Sequence, residues 1–261
     1  MCTLIASVRQ HRDAPLVVAA NRDEVLDRPA SGPRRWPGEP FVAPRDEQAG
    51  GTWLGLNVHG VFVAVTNRFP AEKHEGRESR GALVVDALRA HSAREVHQRL
   101  SSLPPTRYNA FHLLYADGAD AFVTWSDGHA VRQDVLAPGL HIVTERSLGG
   151  DDHARTSLIR EAWPSAAPGG RVPEASALQR LLALRREDDP LGGVCVEAPA
   201  FNYGTRSSLV LLRAPRLADS RWYWADGRPD RTPFVERPDL IAALCSPAAP
   251  AAAPGTPAPG G

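Results

Sequence analysis

Lysine is almost missing from this chain of 261 residues, since Lys73 is the only one and arginine supplies the rest of the basic side chains. The 30 basic and 30 acidic residues balance to a formal net charge of zero. A neutral chain has no long-range attraction for nucleic acid or for an acidic membrane surface, so we expect neither as a partner. A GC-rich coding sequence explains the arginine bias better than a dedicated anion-binding role does.

Long apolar runs are also missing. No segment reaches the ~18 apolar residues of a membrane-spanning helix. The first twelve residues carry Arg9, His11 and Arg12, which does not fit the apolar core of a secretory signal. We therefore expect neither stable membrane insertion nor export.

Signatures of metal and cofactor sites are absent as well. Cys2, Cys195 and Cys245 show no CxxC spacing, so they form neither a disulfide framework nor a haem-attachment motif. The nine histidines show no HExxH or paired-ligand spacing, and no phosphate-binding glycine loop occurs. We expect a cytoplasmic protein with reduced thiols, no metal and no bound cofactor, which takes a small molecule as its partner.

Hydrophobic patterning predicts strands in runs and helices in runs, an order typical of α+β proteins with antiparallel sheets. Residues 1–245 read as one domain, and residues 246–261 lack charge and large apolar side chains, which predicts a disordered tail. The predicted strands are residues 3–7, 16–20, 52–56, 61–66, 110–115, 121–125, 129–133, 140–144, 207–212 and 221–225. The predicted helices are residues 79–90, 93–100, 154–162, 174–184 and 238–244.

Cys2 is the most informative single residue. A small residue at position 2 permits removal of Met1, which would place a free α-amine on the same residue as a thiol. The amine has a pKa of ~7.7–8.0, so a good fraction is neutral near pH 7 and can act as a base. One residue then supplies both nucleophile and base, as in N-terminal-nucleophile hydrolases.

The first predicted hairpin places polar residues beside Cys2. A turn near residues 11–12 puts Cys2 opposite residue 21 or 22, where the apolar strand gives way to Asn21-Arg22-Asp23-Glu24. Asp23 could hold the terminal ammonium or the thiol, while Asn21 and Arg22 offer donors to a substrate. The charge of Arg22 would also favour the thiolate. The alternative is a polar strand end that turns into a loop.

Three further candidates lie at the ends of predicted strands. The amide of Asn67 could stabilise the oxyanion of an acyl transfer, although asparagine also simply terminates strands. Arg206 precedes a late strand, where it could bind a carboxylate or a phosphate, and Arg68 offers the same chemistry. An exposed structural role is the alternative for Arg206.

Several of these segments together resemble the NRDE family, also called the transport and Golgi organisation 2 family and named for its Asn-Arg-Asp-Glu tetrapeptide. They span residues 1 to 208, and the combination is far more specific than any single motif. The matching segments are Met1-Cys2-Thr3-Leu4, Ala20-Asn21-Arg22-Asp23-Glu24, Gly50-Gly51-Thr52-Trp53-Leu54-Gly55, Thr66-Asn67-Arg68 and Gly204-Thr205-Arg206-Ser207-Ser208.

The family is similar in turn to N-terminal-nucleophile amidohydrolases such as penicillin V acylase and bile salt hydrolase. This resemblance implies a four-layer αββα sandwich and hydrolysis of C–N bonds in non-peptide linear amides. It implies that Cys2 is the nucleophile, Asp23 the acidic residue beside it and Asn67 an oxyanion donor. Arg206 then corresponds to a late-strand arginine, and Arg22 and Arg68 join Asn21 as substrate-binding candidates.

A non-catalytic binding protein on the same fold is the alternative. Eukaryotic members of the family are associated with Golgi organisation, lipid metabolism and haem trafficking, which implies a haem or acyl-CoA carrier. Ala20 stands where the amidohydrolases carry an arginine, and residues 143–147 lack the asparagine expected after a mid-chain strand; both departures favour binding. Cys2 and Asp23 favour chemistry. A thiol redox sensor is a third alternative.

The catalytic interpretation predicts that Met1 is removed in cells. Intact-mass measurement of the purified protein should show a chain that starts at Cys2. Quantitative retention of Met1 would block the amine as a base and remove most of the case for catalysis.

Overall fold

The computed structural model describes residues 2–69, 71–148 and 153–246. These residues form fourteen strands and five α-helices. The strands are β1 (Cys2–Val8), β2 (Leu16–Val25), β3 (Ala30–Arg35), β4 (Phe41–Asp46), β5 (Leu54–Asn57), β6 (Phe62–Asn67), β7 (Phe111–Ala116), β8 (Ala121–Ser126), β9 (Val131–Val135), β10 (Gly139–Val143), β11 (Glu197–Ala198), β12 (Tyr203–Arg213), β13 (Arg221–Ala225) and β14 (Val235–Glu236). The helices are α1 (Arg80–Ala87), α2 (Ala93–Leu100), α3 (His153–Ala166), α4 (Ala175–Leu182) and α5 (Pro238–Cys245).

The strands form two antiparallel sheets. The first sheet has the order β10-β1-β2-β12-β13-β14, with β11 paired to one end of β12. The second sheet runs β3-β4-β5-β6-β7-β8-β9, so each of its strands pairs with the next one along the chain. The first sheet instead needs long connections, because β12 returns to pair with β2.

Three apolar clusters show how the layers stack. Leu4, Leu56 and Leu209 belong to the cluster between the two sheets. Alternate side chains of the first sheet point the other way, so Val17 packs with Leu178 of α4. Val84 of α1 and Val96 of α2 cover the outer face of the second sheet. The order helix, sheet, sheet, helix confirms the predicted four-layer αββα sandwich.

Most predicted elements are present, but β2 runs five residues past its predicted end and β12 starts four residues before its predicted beginning. The exceptions are β3 and β4, which the sequence analysis missed, together with the two-residue strands β11 and β14. Strand β3 reads Ala-Ser-Gly-Pro-Arg-Arg, and its pairing with β4 shifts register at a bulge, so it shows no two-residue alternation. Of the predicted tail, residues 247–261 lie outside the described residues. No helix in the part of the chain described is long and apolar enough to cross a membrane.

Gly51 lets α1 approach the second sheet closely. A Cβ atom on Gly51 would lie 2.5 Å from the carbonyl carbon of Gly81, in the first turn of α1. The backbone N–H of Thr52 also donates to the carbonyl of Gly81, 3.4 Å away. The glycine in the Gly-Thr-Trp segment is therefore required by packing against the first turn of α1.

We expect Gly51→Ala to lower the free energy of unfolding by roughly 1–3 kcal/mol, because the added methyl group overpacks a backbone contact. Urea unfolding measures the change. Gly32→Ala is the matched control, since a Cβ there meets nothing nearer than the Trp224 Nε1 at 3.6 Å. Equal stability of the two variants would contradict the close-approach explanation.

Candidate active site

Three neighbouring strands bring the chemical groups together at one end of the first sheet. Cys2 begins β1 and lies directly opposite Arg22 of β2, as the hairpin register predicted. On the far side of β2, Asp23 pairs with Thr205 of β12, next to a bulge between Thr205 and Ser207. Cys2, Arg22 and Asp23 are therefore held by strands and not by loops.

Asp23 is a buried carboxylate with two described partners. Its Oδ1 accepts a hydrogen bond of 2.6 Å from the Thr205 hydroxyl, and its Oδ2 lies 3.9 Å from Nη1 of Arg155 in α3. The same Nη1 lies 3.3 Å from the carboxylate of Glu145 and 3.2 Å from the Thr3 hydroxyl. Burial raises the pKa of Asp23 to about 6, although the positive charge of Arg155 acts to lower it.

The Cys2 thiol is less acidic than an ordinary thiol. Burial raises its pKa, and the negative charge of Asp23 raises it further. The backbone N–H of Asp23 and the charge of Arg22 act in the opposite direction but do not prevail. Arg22 favours the thiolate, but the cost of desolvating the sulfur is larger.

Arg22 is held by several partners at once. Its guanidinium lies 4.2 Å from the centre of the Trp53 ring. It also lies 3.6 Å from Asp46 and 3.8 Å from Glu24. Trp53 in turn packs against Trp224 from the first sheet, with ring centres 6.3 Å apart. Arg22 is thus a buried anchor between the two sheets, with part of its surface in the cleft described next.

Cys2 opens into a cleft of about 380 Å³, here called the nucleophile cleft. Its wall includes Asp23, Asn67 at the end of β6, and Arg80 at the start of α1. A second cleft of about 400 Å³, the side cleft, is lined by Phe69 among others. The two clefts share four lining residues: Asn67, Lys73, Arg80 and Asn109.

Asn67, the predicted oxyanion donor, lies in the wall of the nucleophile cleft. Its backbone pairs with Phe111 of β7, while its side chain is exposed. A side-chain amide at this position can donate to a developing oxyanion in the cleft. The contact with substrate remains a prediction.

The structure does not bring two predicted substrate-binding residues into the nucleophile cleft. The amide of Asn21 donates to the carbonyls of Leu182 and Val194, at 2.9 and 2.8 Å, and its oxygen accepts from Ser208 at 2.6 Å. Both amide hydrogens are therefore used, and Asn21 ties β2 to the helix layer. Arg206 donates to the carbonyl of Leu26 and so holds the loop after β2. Both side chains are thus engaged within the protein, Asn21 buried inside β2 and Arg206 partly buried, and neither is the exposed or strand-end residue of the sequence-based alternative.

Arg68 lines the side cleft, but its guanidinium also has a structural task. It donates to the carbonyls of Ser147 and Leu148, at 2.9 and 3.0 Å, and stacks on Trp125 at 4.5 Å. It lies 2.9 Å from Nε2 of His112, whose pKa burial lowers to about 4. A neutral imidazole can accept this bond. Arg68 therefore fixes the turn after β10 through Nη1.

Sequence reasoning missed Arg80, Arg155 and Glu145. Arg155 and Glu145 lie more than a hundred residues from Asp23 in the chain, so no local pattern connects the three. Arg80 is one of many arginines and lies at the start of a helix whose exposed face is usually charged. Only the tertiary structure shows that it faces Cys2.

No group of three or more His, Cys, Asp and Glu residues is arranged to hold a metal ion within residues 2–69, 71–148 and 153–246. The described thiols form no disulfide. Cys195 is buried and lies 3.5 Å from Asp230, and burial raises its pKa to about 12. Cys195 is therefore a buried thiol of raised pKa, whereas Cys245 is exposed.

The four-layer fold, with a cysteine at the start of β1, is that of the N-terminal-nucleophile hydrolases. A Caenorhabditis elegans orthologue of N-acylethanolamine-hydrolyzing acid amidase superposes with a TM-score of 0.55 at 13% identity, over 81% of this chain and 92% of that one. A variant of conjugated bile acid hydrolase from Clostridium perfringens gives a TM-score of 0.57 at 12% identity, over 94% of each chain. At these identities the likeness shows the fold alone.

The family follows from closer relatives. A model of the family Transport and Golgi organisation 2 matches residues 1–216. The Homo sapiens Transport and Golgi organization protein 2 homolog is 30% identical over 237 residues, covering 76% of this chain and 81% of its own. The Bos taurus homolog is 27% identical over 227 residues with the same coverage. The chain belongs to the Transport and Golgi organisation 2 family.

The buried charge of Asp23 predicts a characteristic pH dependence of stability. Its folded pKa of about 6 lies above the unfolded value of ~3.9, so the folded state binds the proton more tightly. The contribution of Asp23 to stability is therefore fully present below about pH 4 and is lost as the pH rises through 6, by roughly 3 kcal/mol in total. Asp23→Asn should gain stability relative to the wild type across this interval, as urea unfolding at several pH values would show.

Asp86→Asn, at an exposed carboxylate of α1, is the control and should follow the wild type. Parallel pH curves for the wild type and Asp23→Asn would show that Asp23 keeps an ordinary pKa.

Proposed function

We propose that the mature protein is a cysteine N-terminal-nucleophile hydrolase of non-peptide linear amides. The observation that carries the proposal is the position of Cys2. It starts a central strand, opens into the nucleophile cleft and lies close enough to Asp23 for that carboxylate to raise its pKa. Strand-borne groups keep their geometry better than loop-borne ones, as catalysis requires.

Removal of Met1 would convert the backbone nitrogen of Cys2 into a free amine. That amine takes the thiol proton as Sγ attacks the carbonyl carbon of the amide. The raised pKa of the thiol fits this step, because the proton then leaves only as the bond to carbon forms. Asp23 keeps the resulting ammonium oriented by its negative charge.

The second half of the reaction returns the protein to its starting state. The ammonium gives its proton to the leaving nitrogen as the C–N bond breaks, which leaves a thioester on Cys2 and releases an amine. Water then attacks the thioester, with the α-amine as base, and yields a carboxylic acid and the free thiol. Asn67 stabilises both tetrahedral oxyanions from the cleft wall.

Carriage of an acyl-CoA or a haem is the second candidate, and the cationic lining of the clefts favours it. Lys73, Arg77 and Arg80 offer partners for phosphates or propionates. The lining fits an acyl-CoA better than a haem, because Cys2 is the only soft axial donor among the described lining residues and no histidine is among them. A carrier would use Cys2 at most as a contact.

A cytoplasmic location completes the proposal. It rests on the unpaired thiols, since reducing compartments keep cysteines free.

Two substitutions at Cys2 test the hydrolase proposal. Cys2→Ser should lower turnover by at least about 100-fold, because a hydroxyl of far higher pKa must lose its proton to the same amine. Cys2→Ala should abolish turnover and still bind ligand. Turnover of a panel of fluorogenic linear amides, with intact-mass detection of an acyl adduct on Cys2, measures both effects.

Cys245→Ala is the matched control, because it removes an exposed thiol away from the cleft and should leave turnover unchanged. The carrier proposal would replace the hydrolase proposal if two results were found together. The first is acyl-CoA binding that Cys2→Ala does not weaken, and the second is the absence of amide turnover and of an acyl adduct in the wild type.

A further inference from the structure

The carboxylates of the nucleophile cleft are already paired with cations. Asp46 lies 2.8 Å from Arg28 and 3.6 Å from Arg22, which also contacts Glu24. Glu78 lies 2.9 Å from Arg107. Asp23 is bound by Thr205 and Arg155. These pairs neutralise the acidic side of the cleft from within the protein.

Three cations of the same cleft lack such a partner. No carboxylate in the described parts of the chain forms an ion pair with Lys73, Arg77 or Arg80. Arg77 and Arg80 each donate only to a backbone carbonyl, those of Tyr108 at 3.1 Å and Ala110 at 2.9 Å. The cleft therefore holds an excess of positive charge beside the nucleophile.

Arg80 is the most desolvated of the three. Burial lowers the pKa of Arg80, whereas the charge of a Cys2 thiolate raises it. The second effect means that the guanidinium lies within electrostatic range of the sulfur. A guanidinium that is partly removed from water and has no carboxylate partner binds anions more strongly than an exposed one does.

Arg80 and Lys73 also lie where the two clefts meet, because both side chains line both of them. A ligand that extends from Cys2 into the side cleft passes the residues that the two clefts share, which include both cations. Beyond this junction the lining becomes more apolar, with Phe69, Ala71 and Ala110. Phe69 is 49% exposed, although the guanidinium of Arg146 lies 4.6 Å from its ring centre, so the exposed part of the ring can contact a ligand.

We propose that the substrate is an amide with an anionic group, such as a carboxylate, sulfonate or phosphate, close to the scissile bond. Arg80 and Lys73 bind this group at the junction of the two clefts, and an apolar remainder of the substrate occupies the side cleft. The proposal rests on the hydrolase function proposed above and names its substrate class. It assigns Arg80 and Lys73 as specificity-determining residues.

Two matched substrate pairs test the anion requirement. The first pair is N-hexanoylglycine and N-hexanoylglycinamide, with the charge on the amine side; the second is glutaric acid monoanilide and its methyl ester, with the charge on the acyl side. We expect kcat/KM to favour the anionic member at least about tenfold in one pair or both, and added salt to reduce the preference. Equal kcat/KM within both pairs would overturn the proposal.

Arg80→Gln and Lys73→Gln should each reduce the ratio of anionic to neutral kcat/KM by about tenfold, since each removes a charge-assisted hydrogen bond. Arg94→Gln removes the same charge from an exposed site on α2 and should leave the ratio unchanged. Lys73 is exposed, so its variant keeps the test valid if Arg80→Gln does not fold. An unchanged ratio in Lys73→Gln and in folded Arg80→Gln would overturn the assignment.

Calorimetric binding to Cys2→Ala protein separates this proposal from the hydrolase proposal. Preferential binding of the anionic member, lost in Cys2→Ala with Arg80→Gln, would support the anion site even if no amide were hydrolysed. Equal binding of the two members of each pair would overturn the anion site, whether or not the wild type hydrolyses amides.

Discussion

Antiparallel pairing of β1, β2 and β12 sets the positions of Cys2, Arg22 and Asp23 in the candidate active site. Cys2 stands opposite Arg22 because β1 and β2 pair in that register, and Asp23 stands opposite Thr205 because β12 returns to the free edge of β2. A shift of one residue would turn each side chain to the opposite face of the sheet. The inter-sheet core and the helix layer would then both lose their apolar partners, so packing on two faces holds the register.

The two-residue alternation of β2 gives the four residues of the Asn-Arg-Asp-Glu segment separate tasks. Asn21 and Asp23 point to the helix layer, where one ties down backbone carbonyls and the other meets Arg155. Arg22 points between the sheets and stacks on Trp53. Glu24 pairs with cations at the cleft edge. One contiguous motif thus combines a structural anchor, an inter-sheet anchor and a charge beside the nucleophile.

Buried charge connects this segment to the rest of the site. Arg155 lies between Asp23 and Glu145, and so links β2, the turn after β10 and α3. Removing these ions from water costs several kcal/mol per ion, which their mutual attraction only partly offsets. In the proposed mechanism this carboxylate acts on one neighbouring group, the terminal amine of the mature chain. The same desolvation raises the pKa of the Cys2 thiol.

The sequence by itself determined the α+β class, most strands and helices, and the meeting of Cys2 with Arg22. These follow from periodicity and from a hairpin of short span, which are local properties of the chain. Its motifs also pointed to the family and hence to the layered fold. Only the tertiary structure decided the roles of Asn21 and Arg206, because the same polar side chain binds a substrate or a buried carbonyl according to the face on which it lies. It also brought Arg80, Arg155 and Glu145 to the site across long stretches of chain, where distant elements pack together without any local pattern that records the contact.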